Sequence, residues 1–575
     1  MFAFGLNEKD LVVNSTKPEF EGDYTVVLFS LVTSLKKSPQ QIGDQLGKYL
    51  TEQHPSVFKQ YNLIKGFLNL SITNDYWINF LQTNFLAAQF GVSSSNGTKI
   101  IVEYSSPNTN KPLHLGHLRN IFLGWSVAEI LKANGFEVIK TCMVNDRGIH
   151  ICKSMLAWQL FGNGETPQST NTKGDHFVGE YYVKFDREYK KQVNELMENG
   201  ASKEEAEQKA PVMKAAQQML FDWEAGDQQT IELWKKMNSW VYEGFEATYK
   251  RIGADFNKIY YESDTYLLGK EFVEDGLRKK IFFKKDDGST WIDLTDQGLD
   301  EKLVLRKDGT SVYITQDLGL ADEKYKDFHY DQSIYVIGDE QNYHMKVLKL
   351  ILQKFEKPYA DGIHHLSYGM VDLPTGRMKS REGTVVDADD LVDEMVSISA
   401  HHTEELGKVT GFTKTELKDL YDTIGLGALK FYLLRVDPKK RMIFNPEESI
   451  DFHGFTGPFV QYTYARIKSI LRKEKADPTY KLQSQELFPH ERELIILLEQ
   501  FPVTLKQAAD EHNPSVIAIY IFTVAKTYNT FYAEHSVMNA ETDEKKQLRL
   551  QLSEMTANII SLAMHILGIK VPERI

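Results

Sequence analysis

The sequence predicts a multidomain α/β protein, in which a Rossmann-type parallel-sheet domain with helical insertions follows a small α+β domain and precedes an all-α bundle. The first observation is length, because 575 residues exceed what one hydrophobic core normally serves. The second is a pair of strand–helix–strand patterns within the chain. The third is the C-terminal region, where apolar residues recur three and four positions apart, as in amphipathic helices.

Each strand–helix–strand pattern is typical of a parallel βαβ unit. In the first unit, an apolar strand at 100–104 precedes a helical stretch at about 118–133 and a second strand at 136–144. In the second unit, a strand at 334–338 precedes helical spacing at 345–355. Parallel neighbouring strands need such a crossover helix, so these patterns predict a parallel sheet.

Changes in composition mark the predicted domain boundaries. The polar stretch at 93–97 is typical of a linker and separates an N-terminal domain at 1–95 from the sheet domain at 96–422. Within the sheet domain, about 171–252 is rich in Lys, Glu and Gln and is predicted to form an exposed helical insert. The remaining residues, 423–575, are predicted to form the helical bundle.

Composition is typical of a globular protein of the cytoplasm. No run approaches the roughly 18 apolar residues of a membrane helix, and the N-terminus lacks the basic-then-apolar order of a signal peptide. The only two cysteines, Cys142 and Cys152, form no CxxC pair, so we expect neither a zinc site nor a disulfide framework. The net charge of −13 argues weakly against a nucleic-acid partner, although a chain of this size has room for local basic faces.

The strongest local motif lies between the first strand and its helix and runs from Lys111 to His117. A helix N-terminus offers free N–H groups and a positive dipole to an anion. Gly116 would let a base or ribose approach the backbone closely. His114 and His117, three residues apart, would share a helical face and donate to phosphate oxygens as charge develops. The alternative is that both histidines are ordinary polar residues at a helix start.

A second motif is a cationic, glycine-flanked loop from Gly376 to Thr384, which follows a strand-like stretch at 366–371. A lysine or arginine there would neutralise a departing pyrophosphate. Alone the loop is a weak signal, since surface cations are usually only solvated. The ATP-binding residues predicted in it are Met378, Lys379, Ser380 and Arg381.

Together the two motifs resemble the HIGH and KMSKS elements of class I aminoacyl-tRNA synthetases, placed at 114–117 and 377–381. The second motif departs from the family pattern, because Ser380 stands where the second lysine is expected and Lys379 comes one residue early. The resemblance implies that Lys111 compensates for that lysine. We therefore predict that Lys111 and Lys379 share the catalytic role with the two histidines.

Six further stretches resemble the arginyl-tRNA synthetases in particular: 102–108, 145–148, 313–317, 338–344, 454–462 and 571–574. The resemblance implies that ATP, carrying Mg²⁺, activates L-arginine as an arginyl-adenylate, which is then transferred to tRNA(Arg). It also implies that activation requires bound tRNA. A monomer without a metal site of its own and without a membrane partner is expected.

The predicted arginine pocket centres on Asp317, because a guanidinium prefers a planar carboxylate partner. Tyr313 would pack or hydrogen bond beside it. The resemblance implies that Ser106 and Asn108 hold the α-amino and carboxylate groups, and the remaining predicted pocket residues are Glu103 and Gln341. The alternative for Asp317 is a helix N-cap before Leu318.

Two regions are predicted to contact RNA. The helical C-terminal region resembles the anticodon-binding bundle of the family, with Tyr462 and Arg466 as candidate contacts, since aromatic faces accept unstacked bases. The first 95 residues resemble the domain that touches the tRNA elbow, with Phe67 and Asn69 as candidates. The alternative is that these aromatic residues belong to the core.

Three other functions are compatible with parts of the sequence. A synthetase for another amino acid would share both motifs. A small-metabolite adenylyltransferase shares the HxGH helix start but is usually far shorter and has no helical RNA-binding tail. A non-catalytic tRNA-binding relative is disfavoured by the intact His114, Gly116 and His117.

Overall fold

The computed structural model describes residues 11–17, 19–310, 312–374, 386–405 and 411–575. Within these ranges the predicted fold class is confirmed: a small α+β region, a parallel-sheet region with helical insertions, and a helical C-terminal region follow one another. None of the described helices combines the length and the apolar composition needed to span a bilayer.

The N-terminal region is a four-stranded antiparallel sheet covered by helices, with strand order β1-β2-β4-β3. The strand-like stretch at 24–32 is a strand only as far as Val27, because a short 3-10 helix, Leu28–Leu31, then turns its two leucines into the core. The bounds are β1 Val13–Ser15, β2 Tyr24–Val27, α1 Val32–Leu35, α2 Pro39–Gln53, β3 Phe58–Ile64, β4 Phe67–Ile72 and α3 Asn74–Asn84.

The central region begins with the first predicted βαβ unit and continues through the helical insert. The polar stretch at 93–97 has no helix or strand and leads directly into β5. The bounds are β5 Lys99–Glu103, α4 Leu115–Ala133, β6 Glu137–Val144, α5 Ile149–Phe161, α6 Pro167–Thr170, α7 Gly174–Glu198, α8 Lys203–Lys209, α9 Pro211–Ala225, α10 Gln228–Ile252 and β7 Lys258–Tyr261.

The second half of the central region contains a three-stranded antiparallel sheet, β10-β9-β8, that the sequence patterns did not predict, and then the second βαβ unit. The bounds are α11 Glu262–Thr265, α12 Gly269–Arg278, β8 Phe282–Lys284, β9 Thr290–Ile292, β10 Lys302–Leu305, α13 Tyr313–Phe328, β11 Gln332–Gly338, α14 Asn342–Lys354, β12 Ile363–Tyr368, β13 Val371–Asp372 and α15 Ala388–Glu405.

The five strands of the main sheet are all parallel, in the order β12-β11-β5-β6-β7. The chain leaves β5 towards β6 and β7 on one side and later returns to β11 and β12 on the other. The crevice outside the carboxyl ends of β5 and β11 is therefore a topological switch point, which is where ligands bind in open α/β sheets. The stretches after β5, β6 and β11 all reach this edge.

The C-terminal region is a helical bundle that packs against α3 and α4. A bidentate ion pair at 2.6 Å joins Arg492 of the bundle to Asp23 of the N-terminal sheet. The predicted boundary at residue 422 lies inside the first of these helices, and the domain limits stay predictions. The bounds are α16 Lys414–Leu434, β14 Met442–Ile443, α17 Pro446–Ser449, α18 Gly457–Lys473, α19 Pro489–Glu499, α20 Phe501–Asp510, α21 Pro514–Glu534 and α22 Asp543–Ile566.

Candidate active site

The two histidines of the first motif form a capping box at the start of α4. His114 is the N-cap, and its Nδ1 accepts a hydrogen bond from the Gly116 backbone N–H at 3.1 Å. The Nδ1 of His117 accepts from the His114 backbone N–H at 3.1 Å, and the two ring centroids lie 3.9 Å apart. Because both Nδ1 atoms accept, a neutral ring carries its proton on Nε2 and offers that N–H as a donor.

Electrostatics keep both imidazoles neutral. Burial lowers the pKa of His114 to about 3, and the positive charge of Lys111 acts in the same direction. Burial, with the charges of His114 and Lys111, also holds the pKa of His117 well below its ordinary value. At neutral pH the pair therefore consists of uncharged Nε2–H donors, which suit an anion that gains charge during a reaction.

The chain that follows the second motif pairs with this histidine element. The Leu115 N–H donates to the Val386 carbonyl at 3.1 Å, and the Ala388 N–H donates to the Leu113 carbonyl at 3.0 Å. His114 and Asp387 form an antiparallel bridge between these hydrogen bonds. The predicted ATP-binding residues Met378, Lys379, Ser380 and Arg381 lie outside the described residues.

A cavity of about 640 Å³ opens beside the histidine element. Its walls include Lys111 and His114 from the motif and Lys184 and Arg187 from α7. Lys111 therefore lies next to His114, as the sequence predicts for neighbours in one motif. The three cations Lys111, Lys184 and Arg187 give this wall a positive character that suits a polyphosphate, and His114 adds an uncharged donor.

The loop after β5 has an unusual backbone conformation. Ser105 and Ser106 have positive φ values of 82° and 42°, a conformation that costs non-glycine residues roughly 1–3 kcal/mol each. The Ser105 N–H donates to Asn120 Oδ1 at 2.6 Å, and its hydroxyl lies 2.7 Å from the Tyr249 hydroxyl. Such strain, held by buried neighbours, is typical of functional loops.

The residues predicted to hold the α-groups of arginine lie on this loop. Asn108 is exposed and forms a parallel bridge with Asn145, which follows β6. The Asn145 side-chain amide donates to the Ser106 carbonyl at 3.3 Å. The loops after β5 and β6 are thus tied together at the edge of the sheet that carries the switch point.

Asp317 lies in the second turn of α13, so the alternative that it caps a helix is wrong: the helix begins at Tyr313, and its N-cap is Val312. The Asp317 carboxylate is 40% exposed, and its Oδ2 lies 2.5 Å from His344 Nε2. Tyr313 is 76% exposed at the helix start. Both side chains are accessible to a ligand.

The other two predicted pocket residues occupy different environments. Gln341 is exposed at the end of a short 3-10 helix, Asp339–Gln341, that follows β11. Glu103 is buried at the end of β5 and forms an ion pair with the fully buried Lys324, whose ammonium also lies over the Tyr335 ring. The negative charge of Glu103 is therefore already balanced by the ammonium of Lys324 in this structure.

Glu262, which the sequence analysis missed, adds a second carboxyl near Asp317. Burial raises the pKa of Glu262 to about 7; the charge of Arg147 opposes this shift, and the charges of Asp146 and Asp317 increase it. Arg147 is held by Glu224 at 2.5 Å and over the Tyr266 ring at 3.8 Å. The stretch at 145–148 pointed to Arg147, but nothing in the sequence singled out Glu262.

The candidate anticodon contacts line a cavity of about 1020 Å³ between α18, α21 and the C-terminus. The Arg466 guanidinium lies 5.0 Å from the Tyr462 ring and 5.5 Å from the Tyr532 ring. Two other tyrosines of the same helices, Tyr464 and Tyr528, are buried and belong to the core. The cavity therefore combines accessible aromatic faces with cations.

The candidate elbow contacts line a smaller pocket of about 290 Å³ in the N-terminal sheet. Phe67 is 41% exposed, so the alternative that it belongs to the core is wrong. Asn69 is buried, and its Oδ1 accepts from the Thr25 hydroxyl at 2.6 Å. Within the described ranges, its Nδ2 has no hydrogen-bond partner. The exposed Phe67 ring offers a face on which a base can stack, whereas the Asn69 amide is enclosed in this structure.

Two family profiles match the chain. Residues 81–445 match the catalytic domain of the class I tRNA synthetases (R), and residues 460–575 match the DALR anticodon binding domain. Among solved structures, arginyl-tRNA synthetase from Thermus thermophilus superposes with a TM-score of 0.81 at 24% identity, covering 98% of this chain and 96% of that one. At 24% identity, this structural similarity shows that the two chains share a fold.

Two relatives are much more similar to this chain in sequence than that structure is. The arginine–tRNA ligase of Amoebophilus asiaticus (strain 5a2) is 53% identical over 580 residues, which cover 100% of this chain and 97% of that protein. The arginine–tRNA ligase of Flavobacterium psychrophilum is 54% identical, covering 99% of this chain and 97% of that protein. The resemblance inferred from the motifs is therefore confirmed, and the chain belongs to the class I aminoacyl-tRNA synthetases, in the arginine–tRNA ligase family.

Proposed function

We propose that the chain ligates L-arginine to the 3′ end of tRNA(Arg) in two steps, using ATP and releasing AMP and pyrophosphate. The observation that carries the proposal is the pair of neutral Nε2–H donors at the start of α4, beside a cationic cavity at the switch point of a parallel sheet. Family membership supports the same reaction.

In the first step, the arginine carboxylate attacks the α-phosphorus of ATP, and the bond to the bridging oxygen breaks so that pyrophosphate leaves. His114 and His117 donate from Nε2 to phosphate oxygens as their charge grows, without a proton transfer. Lys111 and Lys379 neutralise the pyrophosphate, and Mg²⁺ enters with ATP as part of that substrate. Gly116 leaves room for the nucleotide, and the ATP contacts are completed by Met378, Ser380 and Arg381.

Arginine is recognised by carboxylates around an exposed aromatic ring. Asp317 accepts the guanidinium, Tyr313 lies beside it, and the paired Glu103 contributes to the floor of the pocket. The α-amino and carboxylate groups are held by the loops after β5 and β11, through Ser106, Asn108 and Gln341. A neutral amino acid would leave carboxylate charge unpaired, so the pocket needs no hydrolytic editing.

In the second step, a hydroxyl of the terminal ribose of tRNA attacks the carbonyl carbon of arginyl-adenylate, and AMP leaves. No protein nucleophile is required, because positioning and charge stabilisation account for catalysis. Tyr462 and Arg466 contact the anticodon loop, and Phe67 and Asn69 contact the elbow of the tRNA. We further propose that the chain acts in the cytoplasm, as a monomer and without a resident metal.

Charging of unfractionated tRNA with each of the twenty labelled amino acids tests the proposed function. We expect label on tRNA with arginine alone, and none when ATP is omitted. Charging with another amino acid would overturn the pocket assignment. Binding of tRNA without any charging would favour the non-catalytic alternative. Light scattering of the full chain tests whether it is a monomer in solution.

We also assign Glu262, whose carboxyl interacts with the charge of Asp317, to the arginine pocket, so the apparent affinity for arginine should depend on pH. Below its pKa of about 7 the carboxyl is protonated and cannot stabilise a guanidinium. Because only the ionised form attracts arginine, the KM for arginine should fall about tenfold between about pH 6 and pH 8. The measurement is the KM for arginine in ATP–pyrophosphate exchange across this range.

The matched variant is Glu262→Gln, which should show a high KM at every pH because its side chain does not ionise. Glu243→Gln removes an exposed carboxylate of α10 and should behave as wild type. An unchanged pH profile in Glu262→Gln would contradict the assignment of Glu262 to the arginine pocket.

Phe67→Ala is expected to weaken tRNA binding without destabilising the fold. Stacking of a base on an aromatic ring contributes about 1–3 kcal/mol, so the KM for tRNA should rise about tenfold. Because the side chain is 41% exposed, the unfolding midpoint should stay close to that of wild type. Phe221→Ala removes a phenylalanine of α9 that is 69% exposed and serves as the control. Equal tRNA KM values for the two variants would rule out the elbow contact.

A further inference from the structure

The helical insert makes a charged contact with the chain that immediately follows the second motif. Lys173, the N-cap of α7, places its ammonium 2.6 Å from Asp389 Oδ2 and 3.1 Å from Asp175 Oδ2. The same ammonium donates to the Thr248 hydroxyl of α10 at 2.5 Å. One cation therefore joins α7, α10 and the start of α15.

A second cationic partner comes from His176, one turn along α7. Its Nε2 lies 3.2 Å from Asp389 Oδ2 and 3.3 Å from Asp387 Oδ2. Hydrogen bonding to Asp389 and the charges of Asp387 and Asp175 raise the pKa of His176, which favours the protonated form. Asp387 in turn caps α15, accepting from the N–H groups of Asp389 at 2.8 Å and Asp390 at 3.2 Å.

The insert is packed so tightly here that the cluster has little freedom to move. A Cβ at Gly174 would lie 2.0 Å from the Trp240 carbonyl oxygen, and a Cβ at Gly244 would lie 2.3 Å from Asp175 Oδ1. Asp175 is fully buried, and within the described residues its Oδ1 has no hydrogen-bond partner. Asp175 therefore has few possible partners other than Lys173.

This cluster connects directly to the histidine element. Asp387 is bridged to His114, and the hydrogen bonds of Val386 and Ala388 to Leu115 and Leu113 flank that bridge. His176 and Asp387 also line the cavity that contains Lys111. A displacement of the 386–388 segment would therefore displace the His114 ring.

We propose that Lys173 and His176 are positioning residues for arginine activation, which hold the segment 386–388 against 113–115 and thereby fix the Nε2–H of His114 towards the phosphates. Lys173 does not line the cavity assigned to ATP, and His176, which does line it, acts in this proposal through Asp387. The inference rests on the proposed function and gives the insert a role that the sequence analysis left unexplained. Asp175, His176 and Asp389 have the spacing of a metal site, but the ammonium of Lys173 supplies the positive charge there.

The decisive variant is Lys173→Met, which removes the ammonium between the carboxylates of Asp175 and Asp389 and leaves His176 as the remaining cationic partner of Asp389. Because misplacement of a reacting group by about 1 Å costs on the order of 100-fold in rate, we expect a loss of at least about tenfold in kcat. The KM values for arginine and tRNA should stay within about twofold, because these substrates are bound elsewhere. The assay is arginine-dependent ATP–pyrophosphate exchange by the full chain with tRNA, well below the unfolding midpoint.

Two further variants separate positioning from loss of stability. Lys173→Met combined with Asp389→Asn removes the repulsion and should regain part of the lost kcat. His176→Gln keeps a donor near the position of Nε2 and should retain most of the activity, whereas His176→Ala should lose it. Lys190→Met is the control, because it removes an exposed lysine of α7 that forms an ion pair with Asp186 of the same helix at 2.8 Å.

A kcat for Lys173→Met equal to that of Lys190→Met would overturn the inference. So would a loss that follows the unfolded fraction, or a loss that appears in the KM for tRNA alone. If Lys173→Met does not fold, equal activities of His176→Gln and His176→Ala would overturn it instead. Absence of exchange in the wild-type chain would overturn the proposed function itself and is distinguishable from all these outcomes.

Discussion

His114→Asn is expected to lower the kcat of arginine activation by about 100- to 1,000-fold, the usual cost of removing one donor to a developing anion. Asparagine is among the best N-cap residues, so its Oδ1 replaces Nδ1 as the acceptor for the Gly116 N–H. What the variant lacks is a donor at the position of Nε2. The kcat should therefore fall while the KM for arginine and the free energy of unfolding change little.

His114→Ala is the matched comparison, because it removes both the donor and the cap. It should show the same loss in kcat and, in addition, a destabilisation of about 1 kcal/mol in urea unfolding. If His114→Asn retained wild-type kcat, the Nε2–H of His114 would not act on the phosphates, and His114 would be only a helix cap.

Asp317→Asn is expected to raise the KM for arginine by about 10- to 150-fold, since hydrogen bonds to charged groups contribute about 1.5–3 kcal/mol. The amide keeps the shape of the side chain but loses the charge that matches a guanidinium. Arginine analogues sharpen the test: citrulline has a neutral urea group in place of the guanidinium. The wild-type chain should discriminate strongly against citrulline, and the variant much less.

His344→Gln provides the control for this variant, because it keeps a donor near Asp317 while removing the imidazole that lies 2.5 Å from the carboxylate. Its KM for arginine should change far less than that of Asp317→Asn. Equal discrimination against citrulline by Asp317→Asn and wild type would show that another carboxylate binds the guanidinium, with Glu262 as the next candidate.

Local sequence patterns were sufficient to predict the parallel sheet and the histidine element. β5 and β11 contain central apolar runs, as both faces of a parallel sheet are covered, whereas Lys140 and Thr141 interrupt the run of β6. Of the crossover helices, α14 has apolar residues at helical spacing, and α4 is buried on nearly all sides. The cap geometry of His114 and His117 also follows from positions three apart at a helix start. In each case the determining contacts lie within a few residues.

Contacts between distant parts of the chain could not be predicted in this way. Lys173 and Asp389 are separated by 216 positions, and no local pattern indicates their pairing. Glu262 has its raised pKa because of burial and the charge of Asp317, neither of which is visible in the sequence around it. The end of β2 at Val27, where Leu28 and Leu31 enter the core from a 3-10 helix, is not visible in the local pattern either.

For single residues, the choice between a place in the core and a contact with RNA depends on burial in the folded chain rather than on residue type. Phe67 alternates within a strand like a core residue, but at the start of β4 it is 41% exposed and lines the pocket of about 290 Å³. Tyr462 and Tyr464 lie two positions apart on one helix and therefore point to different sides, one into the cavity and one into the core. A period identifies the two faces of an element, whereas the surrounding fold determines which face is buried.

ATP–pyrophosphate exchange with each of the twenty amino acids, in the presence and absence of tRNA, tests the central claim most directly. We predict exchange with arginine alone, and only when tRNA is present. Exchange with arginine without tRNA would keep the specificity and remove the tRNA requirement. Exchange with a different amino acid, or no exchange under any condition, would contradict the account of this site as the centre for arginine activation.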